Sequence, residues 1–194
     1  MSPHRSTYRE PLLSYVEIGA SGAADLMRFP PNDATPFQEE QHIGSGEERY
    51  LAVTNQLMTL DVFRHAGFQL GDVRAGSAPE HVENESLYGP DGTEFAAAGT
   101  CFKVTMPGRV ERELCIVSVI HEAREMGFVI GTVDRDKPAG ELHLTVQLRD
   151  DGRVWGVARG FVHRSSGLLA QREVKAAIAR VKKLLVALRP GSAA

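Results

Sequence analysis

The stretch Met126–Leu148, MGFVIGTVDRDKPAGELHLTVQL, reads as a metal loop, a phosphate cradle or the turn of a hairpin, and the choice sets the fold. Asp134, Asp136 and Glu141 surround Pro138 and Gly140, a superficial match to a calcium loop. That loop needs oxygen ligands at alternate positions, a bidentate Glu at its end and a helix on each flank. Lys137 and Pro138 interrupt the spacing, and both flanks read as strands. A phosphate cradle would run from a glycine-rich turn into a helix N-terminus. After Gly140 the pattern alternates instead. Leu142, Leu144, Val146 and Leu148 share one face, and Glu141, His143, Thr145 and Gln147 share the other. Period two marks a half-buried strand. VDRDKPAG is therefore a hairpin loop, and no metal site is expected in it.

Further strands extend on both sides of this hairpin. Period two predicts them at about 100–106, 112–121, 127–133, 141–149 and 153–164, with a hairpin turn at Asp151-Gly152. Residues 37–44 and 68–75 are two more candidates. Between those two, Ser45 reads as a helix N-cap, with Glu47 and Glu48 in the first turn, where the dipole favours them. One helix is expected from there to Gly67, with Tyr50, Val53, Leu57 and Leu60 as its apolar stripe. Residues 76–98 form a long polar segment with turn signals at Gly89-Pro90 and Asp91-Gly92, and such loops are commonly functional or disordered.

The segment SGLLAQREVKAAIARVKKLLVALRP predicts a long closing helix. Val174, Ala177, Ile178, Val181, Leu184, Leu185 and Leu188 fall on one stripe, and Pro190 ends it. Lys175, Arg180, Lys182 and Lys183 fall off the stripe and read as a solvated basic face rather than a membrane surface. Strands segregated from helices argue for an α+β fold, a curved antiparallel sheet around a long C-terminal helix. A gap between sheet and helix suits a small apolar ligand.

The 194 residues suit one domain at 37–190 behind an N-terminal arm at 1–36. A net charge of −3 gives no pull toward nucleic acid. No apolar run is long enough to span a membrane, and the N-terminus lacks an apolar signal core. Cys101 and Cys115 lie in separate strand-like segments and read as buried thiols in a reducing compartment, so a cytoplasmic protein is expected. The pattern sets no oligomeric state.

Six short segments carry a resemblance. SYVEIGAS (14–21), IGSGEERY (43–50), RHAGF (64–68), GFVIGT (127–132), GE (140–141) and DGRVW (151–155) occur in an order that resembles the domain-of-unknown-function family numbered 1990. The chain looks like a diverged member, with Ile130 where the family places an aromatic residue and Asp136-Lys137 where it places His-Pro. The resemblance implies the helix-grip fold of START and birch-pollen-allergen proteins, which encloses an apolar cavity.

Several residues could carry chemistry. Asp61 and His65 are four apart on the first helix and could pair as a base with its orienter. The bland alternative is a histidine complementing the helix C-terminus. Arg159 lies between Trp155 and Phe161 on the odd face of the last strand, where it could anchor a carboxylate or enolate. The even face carries Val154, Gly156, Ala158, Gly160 and Val162, which could clear space or admit the helix. Alternation alone does not choose between the faces. Tyr50 and Tyr88 are possible donors to a ligand carbonyl, and Leu57, Phe128 and Ile130 are candidate lining residues. No nucleophile elbow, catalytic Cys-His signature, zinc spacing or dinucleotide fingerprint is present. The expectation is a cofactor-independent enzyme that cyclises or isomerises a hydrophobic small molecule in an internal cavity. The alternatives are a non-catalytic binder or carrier of such a molecule, and an interaction module using the basic helix face.

Overall fold

The period-two segments pair into one antiparallel sheet in the computed structural model, which describes residues 13–76, 88–89, 92–134, 138–163 and 170–191. Its strands are β1 (Ala34–Ser45), β2 (Gln69–Arg74), β3 (Cys101–Met106), β4 (Val110–Glu122), β5 (Glu125–Thr132), β6 (Gly140–Leu148) and β7 (Arg153–His163). They lie in the order β1-β7-β6-β5-β4-β3-β2. The chain's first strand therefore pairs with its last, Ala34 opposite His163. Register shifts in β1, β2 and β4 bend the sheet, as bulges do. The helices are α1 (Glu47–Met58), α2 (Asp61–His65) and α3 (Ala170–Ala187). The apolar stripe of α3 lies on β1 and β7, where Val181, Leu184, Leu185 and Leu188 join Phe102, Phe128, Leu144, Val146 and Ala158 in one core.

The two hairpin turns fall where the sequence puts them. β5 and β6 flank 133–139, and Gly152 closes the β6–β7 turn at φ 75°. Three local expectations change. Ser45 ends β1, and Gly46 caps α1 without a side-chain bond, although Glu47 and Glu48 do occupy the first turn. The single expected helix breaks at Leu60, whose φ is +64°. Thr59 marks the break: its one hydroxyl proton can go back to the Asn55 carbonyl at 2.8 Å or to Asp61 at 3.2 Å, and either bond competes with helix continuation. The break turns Val62 and Phe63 into the core, where the Phe63 and Phe102 rings meet at 5.2 Å. Finally, Cys101 and Cys115 face each other across β3 and β4 and are joined by a disulfide. They are not separate thiols, so the thiol argument for a reducing compartment falls. Most of the long polar segment, 77–87 and 90–91, lies outside the described residues, as do 1–12 of the arm.

Residues 13–33 run over the outer face of the sheet, opposite α3. The arm is tied down by Glu141, which the strand pattern places on the polar side of β6. This residue is 2% exposed. Its carboxylate accepts from Tyr15 Oη at 2.7 Å, from the Gly19 amide at 2.9 Å and from the Ser21 amide at 2.9 Å. Three donors satisfy a charge that burial would otherwise make costly. Gly131 makes room for the clamp, because a Cβ there would lie 2.3 Å from Tyr15 Oη. The Tyr15 ring meets Phe161 edge-on at 5.6 Å, closing a second, smaller core with Leu26 and Ala34.

Burial, reinforced by the Glu141 hydrogen bond and charge, pushes the Tyr15 phenol far above its ordinary value. A raised folded pKa means that the contribution is whole below the unfolded pKa and lost above it. Tyr15→Phe is expected to lower stability by about 1.5–3 kcal/mol at neutral pH, since a hydrogen bond to a charged group is lost. Above about pH 10 the gap should narrow by ~1.4 kcal/mol per pH unit, because only the unfolded wild type ionises that phenol. Urea titrations of both proteins from pH 7 to 11 check this, and a pH-independent gap would contradict it.

Candidate functional site

The even-numbered side chains of β5, β6 and β7 point at α3. Gly156 shows this directly: a Cβ there would meet Leu185 at 3.1 Å and Leu188 at 3.3 Å. At this end the small residue lets the helix approach closely. Toward the other end of α3 the two layers separate, leaving a cavity of about 130 Å³. Its walls are largely apolar, with Phe37, Phe68, Met106, Ile130, Val162 and Leu184 among them. Gaps between packed side chains are rarely this large, and an apolar one of about 150 Å³ accepts benzene.

Two arginines stand at the half-buried end of the cavity. Arg112, from β4, is 11% exposed and pairs with Asp134, itself 13% exposed. Its Nε donates to Asp134 Oδ2 at 2.8 Å and its Nη2 to the Pro138 carbonyl at 2.8 Å. Asp134 Oδ2 also accepts the Glu113 amide at 3.0 Å. The second arginine, Arg180, comes from α3 between Ala177 and Leu184, which also line the cavity. Burial first, and the positive charge of Arg112 second, hold its pKa below the usual arginine range. It stays protonated at neutral pH, as arginine does in proteins. Among the described residues it makes no hydrogen bond or ion pair. Glu141 also reaches the cavity wall, but its carboxylate is held by the arm on the far face.

The structure disperses the sequence-derived candidates. Arg159 faces outward, not into the cavity: its guanidinium donates to the Ala23 carbonyl of the arm. The even face of β7 takes the core because its small residues fit under α3. Trp155 is outward too, stacked by Arg149 at 4.4 Å and tilted against His42 at 5.5 Å. Asp61 and His65 do not pair. Asp61 binds Arg64, and His65 Nδ1 meets Gln56 Nε2 at 2.6 Å, because α2 begins afresh at Asp61. Tyr50 and Leu57 are buried in the core under α1, and burial raises the Tyr50 phenol. Tyr88 is exposed and bridges Glu94. Phe128 is fully buried in the main core and is not among the residues lining the cavity. Ile130 does line the cavity, whereas Phe161 reaches its wall from the outer face, where its ring packs against Tyr15. Sequence reasoning missed Arg112 and Arg180, the latter set among solvated lysines. Its signal was the spacing 177, 180, 184, which puts it on the flank of the stripe.

An antiparallel sheet wrapped on a long C-terminal helix, with an apolar space between them, defines the helix-grip class. Within that class, the family model described as domain of unknown function (DUF1990) matches residues 14–181, and the chain belongs to that family. The fold is similar to that of hypothetical protein jhp0584 from Helicobacter pylori, with a TM-score of 0.58 at 14% identity, covering 86% of this chain and 92% of that one. It is also similar to Ara h 8.0201, with a TM-score of 0.50 at 13% identity, covering 80% and 95%. At these identities the likeness concerns the fold alone. No curated protein matches the chain. No helix among the described residues is long and apolar enough to cross a membrane.

The Arg112–Asp134 pair is mostly buried, so removing one partner strands the other. Asp134→Ala is expected to cost about 2–4 kcal/mol. Chemical denaturation checks this, and a loss under about 1 kcal/mol would mean that water already satisfies Arg112.

Proposed function

We propose that this protein binds an apolar small molecule between the sheet and α3. The carrying observation is the apolar cavity at the point where the two layers part. A ligand there would recover contacts that the lining side chains lack without it. The helix-grip architecture supports the same reading, since it positions one concave sheet face against one helix.

Cyclisation or isomerisation, the finer expectation, would need a proton donor or acceptor beside the ligand. Among the described lining residues the ionisable groups are Arg112, Arg180 and Glu141. Arginine does not give up its proton at neutral pH, and Glu141 is committed to the arm. Binding without turnover is the better supported reading.

Native mass spectrometry beside the denatured mass tests for a ligand carried from expression. Toluene tests the cavity itself. At a hundred times its Kd it is expected to stabilise the wild type by about 2.7 kcal/mol. Ala177→Phe, which fills the cavity from α3, should abolish that gain while keeping the fold by circular dichroism. Absence of both an adduct and toluene stabilisation in the wild type would overturn the proposal.

A further inference from the structure

We propose that the ligand is a hydrophobic monocarboxylic acid, its apolar body between the sheet and α3 and its carboxylate on the guanidinium of Arg180. This rests on the ligand-binding reading above and names the chemistry of the molecule.

Arg180 stands among Ala177, Val181 and Leu184 at the half-buried end of an apolar cavity. A guanidinium offers five N–H donors in a planar fork. Among the described residues none of them has a partner. None of its nitrogens is sealed from solvent, so water serves the fork in the free protein, while partial burial and the charge of Arg112 still disfavour the cation. The other charge at this end makes matters worse, since Arg112 is also a cation. Arg112 has its own carboxylate in Asp134 and its own carbonyl in Pro138. Arg180 has neither. An incoming anion would satisfy the fork and relieve the repulsion together.

The charge at the site selects the kind of anion. Arg112 and Asp134 cancel. Glu141 is satisfied by three donors of the arm. Among the described residues Arg180 is then the cation at this end that has no anionic partner, which suits a monoanion better than a phosphate dianion. The planar fork also matches a carboxylate, which it can take through two parallel bonds. The cavity volume of about 130 Å³ sets the size of the buried part. It fits roughly one six-membered ring or a short branched chain, by comparison with the volume that accepts benzene.

The test is calorimetric titration of the full chain with 3-phenylpropionate and with its neutral isostere 3-phenylpropanamide. The acid is expected to bind about tenfold or more tightly than the amide, the effect of one charge-assisted pair. In Arg180→Gln the acid is expected to lose far more affinity than the amide, so that the preference collapses. Arg180→Met, measured without ligand, is expected to raise Tm by a few degrees, because an unmatched cation has been removed. A lower Tm would mark Arg180 as a structural residue and overturn the proposal. Equal binding of acid and amide by the wild type would also overturn it, leaving the cavity reading intact. Survival of the acid preference in Arg180→Gln would do the same. If neither compound binds the wild type at millimolar concentration, the carboxylate proposal fails, and toluene stabilisation decides the cavity reading separately. The wild-type comparison needs no variant, so it decides the matter even if a substitution prevents folding.

Discussion

One buried carboxylate organises this molecule. Glu141 sits on the outer face of β6, sealed from solvent, and its charge requires donors. It finds them in Tyr15, Gly19 and Ser21, so the arm must lie across the sheet. The arm in turn covers Phe161 and closes a second core. Both faces of the central strands are thereby occupied, one by the arm and one by α3. The same contact fixes register. A slip of one residue in β6 would turn Glu141 into the cavity and Leu142 out of it, since side chains alternate with period two. Hydrophobic patterning sets the two faces of the strand. The carboxylate makes any exchange of them prohibitive.

The charged groups near the cavity are treated in three ways. Glu141 is surrounded by a neutral phenol and two amides. Arg112 is matched by an adjacent carboxylate. Among the described residues near the cavity, Glu141 and Arg112 thus have partners and Arg180 has none. Arg159 is tied to the arm through Ala23, although its Nε is buried without a partner among the described residues.

Much of the fold was legible in the sequence because its signals are local and periodic. Alternation from Glu141 to Leu148 gave β6, Asp151-Gly152 gave its turn, and the stripe from Val174 to Leu188 gave α3. The six ordered segments pointed to the family, and the structure shows why some of them travel together. SYVEIGAS supplies the donors, GE the acceptor, and GFVIGT the glycine beneath Tyr15. What was not legible depended on side chains meeting across long separations. The break at Leu60 is marked by a hydroxyl turning back on its own helix. The disulfide required knowing that β3 and β4 bring residues 101 and 115 directly opposite each other. The outward turn of Arg159 followed from which face of β7 could fit beneath a helix. Arg180 was hidden by its company, since a cation between lysines reads as solvated until the cavity beside it is seen.

The pairing of β1 with β7 has a consequence for how the chain is made. A ribosome delivers β1 early, but its only sheet neighbour follows more than a hundred residues later. At ~5–20 residues per second β1 waits about 5–20 s for that neighbour. During this interval one row of its amides and carbonyls has no strand to meet, and Phe37 and Ile43 lack the helix that finally covers them. The nascent chain is thus most vulnerable to mispairing with its neighbours on a polysome in the interval before β7 emerges. Anything that shields an extended N-terminal strand at the tunnel exit would raise the yield of this protein more than it would raise its stability.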